Sequence, residues 1–185
     1  GPLIRKHQVR PQIWKTAPSP SGSSQSARIA AAAQAMLGLV EKTRDLGLQL
    51  GLYNHGGWGG VPENLIAVCE YLRQRHQANH VGIVYNLHHA HAQMRDFSSN
   101  IKRLQPYLLC LNLNGMVSAE RLQSDPKQKI LPIGAGPQDP QILEAIVDSG
   151  YSGPIGILDH RSELDAEQSL QENLKGLVKL TEGLG

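Results

Sequence analysis

The chain has 185 residues, 40% hydrophobic and 18% charged, with 18 Lys and Arg against 16 Asp and Glu. That length buries a core without a metal or disulfide staple, and a formal net charge of +2 supplies neither the basic field that nucleic acid binding needs nor a strongly acidic one. No apolar run reaches the ~18 residues of a membrane span, the N-terminus lacks the apolar stretch of a signal peptide, and Cys69 and Cys110 sit in apolar segments that suit buried free thiols rather than a disulfide framework.

A single domain over 1–185 is expected, with 1–8 as an N-terminal extension or truncation point; the compartment stays open. Val9 to Lys15 reads as a short strand holding Trp14, and the Ser, Pro and Gly of 17–26 read as a loop. Ala27 to Leu46 carries Ile29, Met36, Leu39, Val40 and Leu46 at helical spacing and stops at Gly47. Leu48 to Tyr53 is an apolar strand that runs into Asn54-His55-Gly56-Gly57-Trp58-Gly59-Gly60, a loop whose glycines allow close approach to a ligand. Pro62 suits the first turn of a helix ending about Gln77.

The strand, polar loop, helix unit then recurs. His80 to Asn86 is a strand, Leu87 to Arg95 a loop with three His, and Phe97 to Leu104 a helix. Tyr107 to Leu113 and Lys129 to Ile133 are further strands, and Gly134-Ala135-Gly136 is a turn before the helix Pro140 to Ser149. Pro154 to Asp159 is the last strand, and Ala166 to Leu180 is a helix that packs through Leu170, Leu174, Leu177 and Leu180. Strands alternating with helices predict a parallel sheet covered on both faces. Polar residues end almost every strand, in Tyr53-Asn54-His55, Asn86-Leu87-His88-His89, Asn112-Leu113-Asn114 and Asp159-His160, and a (β/α)₈ barrel brings such ends to one mouth.

Leu50-Gly-Leu-Tyr-Asn-His-Gly-Gly-Trp58, Val81-Gly-Ile-Val-Tyr-Asn-Leu-His-His89, Ile130-Leu-Pro-Ile-Gly-Ala-Gly136 and Gly150-Tyr-Ser-Gly-Pro-Ile-Gly-Ile-Leu-Asp159 resemble the strand-end motifs of xylose-isomerase-like TIM barrels. That superfamily includes sugar isomerases and epimerases, inosose dehydratases and endonuclease IV-type enzymes. The resemblance covers Val9 to Leu180 and implies an α/β barrel represented by its third through eighth strands, the first two strand–helix units being absent from the chain or supplied by a partner chain or a homo-oligomer. Where the family's divalent metal would meet Glu, Asp, His and Glu, this sequence has Tyr53, Asn86, Asn112 and Asp159, so three of four ligands are neutral and the metal site is degenerate. His55 follows the first of these positions by two, and His89 follows the second by three.

His55 suits a general base, a metal ligand or a sugar-hydroxyl donor, because an imidazole titrates near pH ~6.5; the alternative is a His that orders its loop. His88, His89 and His91 cannot all face inward, and His89 is the preferred candidate, with His88 next and His91 toward solvent. Asp159 orients an imidazole, holds a hydroxyl pair or takes a metal, unless it merely caps a helix or forms a salt bridge. Asn54, Asn86, Asn112, Asn114 and His160 are candidates for sugar hydroxyls, with inward Asn satisfying loop backbone groups as the alternative, and Trp58 for stacking on a sugar face, with core or loop packing as the alternative. A site of His55, His89, Asp159 and His160 would suit Zn, Mn, Co or Fe; no nucleotide cofactor is expected, since Gly134-Ala-Gly136 is too short to cradle a phosphate. The expected activity is isomerisation, epimerisation or dehydration of a sugar or polyol by proton transfer next to a carbonyl. The competing expectation is a sugar-binding or assembly domain without catalysis. The partner in either case is a small carbohydrate, not nucleic acid and not a membrane; the endonuclease reading lacks both the metal carboxylates and a basic DNA-binding face.

Overall fold

The computed structural model describes residues 1–124 and 126–183. In chain order the elements are α1 (Pro2–His7), β1 (Ile13–Thr16), α2 (Gln25–Asp45), β2 (Leu50–Tyr53), α3 (Pro62–His76), β3 (Val81–Asn86), α4 (Phe97–Leu104), β4 (Leu108–Leu113), α5 (Ala119–Ser124), α6 (Asp139–Asp148), β5 (Ile155–Ile157) and α7 (Ala166–Glu182). The strands form one parallel sheet in the order β1-β2-β3-β4-β5, so each strand neighbours its predecessor across a helical crossover.

By the density of its internal contacts the chain divides into two compact units, the first made of Gly1–Tyr85 with Tyr107–Leu109 and the second of Asn86–Pro106 with Cys110 onward. In the first, Ser24 caps α2 by accepting from the Ala27 N–H at 3.2 Å, and beyond the end of the helix at Asp45, Gly47, with a φ of +64°, closes the turn into β2. Leu50 and Leu52 of β2 and Val81 and Ile83 of β3 are fully buried, as are Ala32, Ala33, Leu72 and Cys69 on α2 and α3. All six residues of β3 are buried, which is why the segment reads as a continuous apolar run rather than an alternating one. The register sets Leu50 beside Val81 and Ile13 beside Leu50.

The core of the second unit is built from Leu87, Phe97, Ile101, Leu104, Leu111, Leu113, Met116, Ile133 and Ile146. β4 pairs with β5 through Leu111–Ile155, Asn112–Gly156 and Leu113–Ile157. A Cβ at Gly156 would run into the Asn112 amide oxygen, which would have to shift.

The sequence predicts six strands, and five are found among the described residues. Lys129 to Ile133 is not one of them. Pro126–Lys129 forms a 3₁₀ turn, and Leu131 makes a lone antiparallel bridge with Gly115, exchanging hydrogen bonds of 2.8 and 2.9 Å. Pro132 supplies no N–H to a ladder, and the Ile133 N–H donates instead to the Asn173 side chain at 2.9 Å. β1 is shorter than Val9 to Lys15, and α1, which buries no residue, has no periodicity by which to foresee it.

Candidate functional site

The sequence-predicted site residues fall in both units. In the first unit, β2 ends at Tyr53, whose ring lies parallel to Trp14 at 6.2 Å with an interplanar angle of 9°. Asn54 is fully buried and its N–H donates to the Val84 carbonyl at 3.4 Å. His55 is exposed, 6.2 Å from the Tyr53 ring, and is followed by Gly56 and Gly57 at φ +76° and +61°, a left-handed turn that a side chain would strain. Trp58 is anchored: its indole N–H donates to Gln25 at 3.0 Å, its carbonyl accepts from Asn64 at 2.7 Å, and the Arg28 guanidinium lies 4.9 Å from the ring centre. One ring face is therefore spent on joining the loop to α2.

In the second unit, Asn86 is fully buried and its side-chain oxygen accepts from the His88 N–H at 3.0 Å, starting the 3₁₀ turn Leu87–His89. That turn brings three imidazoles together edge to face: His88 lies 4.6 Å from His89 and 5.5 Å from His160. Burial, followed by the positive charge of Lys129 and the neighbouring imidazoles, pushes the His88 pKa down to about 4, so the ring is neutral at physiological pH. His91 is half-buried rather than solvent-facing, and burial lowers its pKa against the opposing effect of its bond to the His88 carbonyl. His88 Nδ1, His91 Nε2 and Asn114 Oδ1 are buried atoms with no hydrogen-bond partner among the described residues.

Asn112 is buried, with Oδ1 3.8 Å from the Cys110 sulfur. Asn114 donates to the carbonyls of Gly115 and Lys129 at 2.9 and 3.3 Å and borders a cavity of about 10 Å³ whose other walls include Leu87, Leu113, Ile133 and Asp139. That volume holds about one water.

Asp159 is engaged throughout. Oδ2 accepts from Arg161 Nη2 at 2.6 Å, Ser169 at 2.7 Å and Asn173 at 2.8 Å, and Oδ1 from the Arg161 N–H at 2.9 Å. Burial alone would raise its pKa, but the bonds from Arg161, Ser169 and Asn173 outweigh it and hold the carboxyl well below the usual carboxylate range. Arg161 also binds Glu172 at 2.8 Å. The sequence offered a salt-bridge role for Asp159 but not its partners; Arg161, two residues on, and Ser169 and Asn173, one helical turn apart, were the signal. It also missed Asp139, which accepts from Gly134, Gly136 and Met116 at 2.8, 3.0 and 3.2 Å and so organises the Gly134–Gly136 turn around a carboxylate. Burial raises the Asp139 pKa despite those bonds.

Among the described residues no group of three or more His, Cys, Asp or Glu is arranged to hold a metal ion. Asp159, the one carboxylate among the positions that the resemblance assigns to a metal, is engaged by Arg161. No helix among them is long and apolar enough to cross a membrane.

Neither protein-family models nor curated proteins gave a match to the chain. Solved structures do match. The probable 3-DHS dehydratase AsbF of Bacillus anthracis superposes with a TM-score of 0.71 at 14% identity, over 95% of this chain and 66% of its own. A D-allulose 3-epimerase from Methylomonas sp. gives 0.70 at 12% identity, over 97% and 66%. A xylose isomerase-like TIM barrel protein from Mycobacterium smegmatis, in complex with magnesium, gives 0.63 at 17% identity, over 100% and 65%. The chain spans less than two thirds of the length of each. Five parallel strands with helical crossovers and this likeness together give the chain the fold of the xylose-isomerase-like TIM barrels, as an incomplete (β/α)₈ barrel.

Proposed function

We propose that the protein acts on a sugar or polyol by proton transfer next to a carbonyl, in an isomerisation, epimerisation or dehydration. The observation that carries this reading is the cluster of His88, His89 and His160 beyond the ends of β3 and β5. Sugar epimerases and a dehydratase among the structures of like fold support it. A base takes the proton from the carbon beside the carbonyl, leaving an enediolate. The proton returns to the neighbouring carbon while another passes between the two oxygens, or it returns to the opposite face of the same carbon; in a dehydration the hydroxyl on the next carbon takes the proton from the conjugate acid and leaves as water. His89 is assigned to proton transfer. His88, held neutral, is suited to hydrogen-bonding a carbonyl or hydroxyl oxygen rather than to taking a proton, since a base with a pKa of about 4 is weak.

The second reading, a sugar-binding or assembly domain without turnover, is favoured by one observation: Asp159, the carboxylate at the end of the strand run, is neutralised by Arg161. Incubation with a panel of aldoses, ketoses and inososes, with conversion followed by chromatography and binding by calorimetry, distinguishes the two. Catalysis predicts conversion that falls by ~10²–10⁴-fold in His89→Ala with the fold retained. Binding without conversion supports the second reading, and neither binding nor conversion removes the carbohydrate assignment.

A further inference from the structure

The imidazole cluster of the second unit adjoins buried hydrogen-bond acceptors that the protein leaves open. Asn114 is 3% exposed, and its amide NH₂ donates to the carbonyls of Gly115 and Lys129 at 2.9 and 3.3 Å. Two carbonyls on one side fix which end of the amide is which, so the other end, Oδ1, is an acceptor, and it has no partner among the described residues. The His91 ring is fixed in the same way. Its Nδ1 lies 3.3 Å from the His88 carbonyl, which only accepts, so in the neutral ring Nδ1 carries the hydrogen and the buried, unpartnered Nε2 is an acceptor. Burying an acceptor without a donor is unfavourable, which selects a ligand that brings hydroxyl hydrogens.

Charge around these acceptors is one-sided. Lys129 is held beside Asn114 by the bond to its carbonyl, two residues before Leu131 bridges to Gly115. Its side chain is half-buried, its charge acts on the rings of both His88 and His91, and it has no ion pair among the described residues. No described carboxylate acts on either ring. Asp159, next to His160 in the chain, has its charge met by Arg161, and Asp139, which borders the same small cavity as Asn114, is covered by three backbone N–H donors. A half-buried ammonium among imidazoles lacks the opposite charge that would offset its loss of hydration. Building on the carbohydrate reading of this site, we infer that the ligand is a sugar acid, whose carboxylate pairs with the Lys129 ammonium and whose hydroxyls donate to Asn114 Oδ1 and His91 Nε2. A carboxylate fits better than a phosphate. Phosphate is gathered by several backbone N–H groups at a turn or helix start, and those of Gly134 and Gly136, in the glycine turn before α6, are spent on Asp139 at 2.8 and 3.0 Å. A single ammonium matches the single charge of a carboxylate.

Calorimetry on the full chain tests this with matched ligands: hexoses, the aldonates, uronates and hexose phosphates made from them, and acetate and inorganic phosphate as bare anions. An aldonate or uronate is expected to bind at least about tenfold more tightly than its neutral parent and than the phosphate ester. Lys129→Met should erase that preference, and Lys129→Arg should keep most of it. His91→Phe should weaken acid and parent alike, because it removes an acceptor and no charge. If Lys129→Met does not fold, the wild type in rising salt serves instead: screening should weaken the acid and not the parent. Equal binding of acid and parent, a phosphate ester bound most tightly, or a preference that survives in folded Lys129→Met overturns the sugar acid. A neutral sugar converted with no preference for its acid overturns it while leaving proton transfer on a carbohydrate intact. A sugar acid bound through Lys129 but not converted supports it and counts against turnover. Bare anions bound without any sugar, or no binding at all, overturn it together with the carbohydrate reading.

Discussion

Asp159→Asn tests whether the carboxylate two residues beyond β5 is a structural hub. Its side chain is 11% exposed and that of Arg161 is 16% exposed, so the pair is largely removed from water. The substitution keeps the shape but removes the charge. It also replaces one acceptor oxygen by an NH₂ group facing the donors on Arg161, Ser169 or Asn173. Hydrogen bonds to a charged group are worth ~1.5–3 kcal/mol each, and breaking a buried ion pair costs ~3–5 kcal/mol. Because Arg161 keeps Glu172 at 2.8 Å, the lower end applies, about 3 kcal/mol, or about 6–12 °C in Tm for a chain of this size. The pH dependence has a definite sign. The folded pKa of Asp159 is depressed, so its contribution is full above the unfolded carboxylate value of ~3.9 and is lost as pH falls through the folded value. Urea unfolding of the wild type and variant should differ by about 3 kcal/mol at neutral pH and converge progressively below pH ~4. A difference under ~1 kcal/mol at neutral pH, or one that does not shrink in acid, would refute the hub.

Gly176→Ala should destabilise by about 1–3 kcal/mol although alanine is the better helix former, because a Cβ there meets the Ile133 carbonyl; chemical denaturation reads this, and a gain in stability contradicts it. Burial pushes the Cys69 thiol up to about 11, Arg73 opposing only in part, and Cys110 is raised by burial too. Neither should react promptly with a thiol reagent at mild pH in the native protein, and both should once it is unfolded. The His88 ring should titrate by NMR with a midpoint of about 4, leaving it neutral across the physiological range, whereas a midpoint near ~6.5 would mean that its burial is not felt.

Helices α2, α3, α6 and α7 were legible within a residue or two at each end, and α4 to the residue, because caps, prolines at the first turn and 3.6-residue periodicity are local signals. The fate of Lys129 to Ile133 was not, because an apolar run with β-branched residues reads as a strand until Pro132 and the competing acceptor on Asn173, forty residues away, are placed. The grouping of His88 with His89 could be read from adjacency, but the approach of His160 depends on how β4 and β5 pair. The commitment of Asp159 was hidden for a similar reason: Ser169 and Asn173 reach it from α7, ten and fourteen residues on.

Solvent proton exchange is the most direct measure of the central claim. Each sugar or polyol of the panel, incubated with the protein in D₂O and followed by NMR, should reveal one substrate whose hydrogen beside the carbonyl is replaced by deuterium. The rate should fall by ~10²–10⁴-fold in His89→Ala, while that variant keeps the wild-type unfolding curve. Tight binding of a carbohydrate with no deuterium incorporation, or incorporation unchanged in His89→Ala, would contradict proton transfer by this histidine cluster.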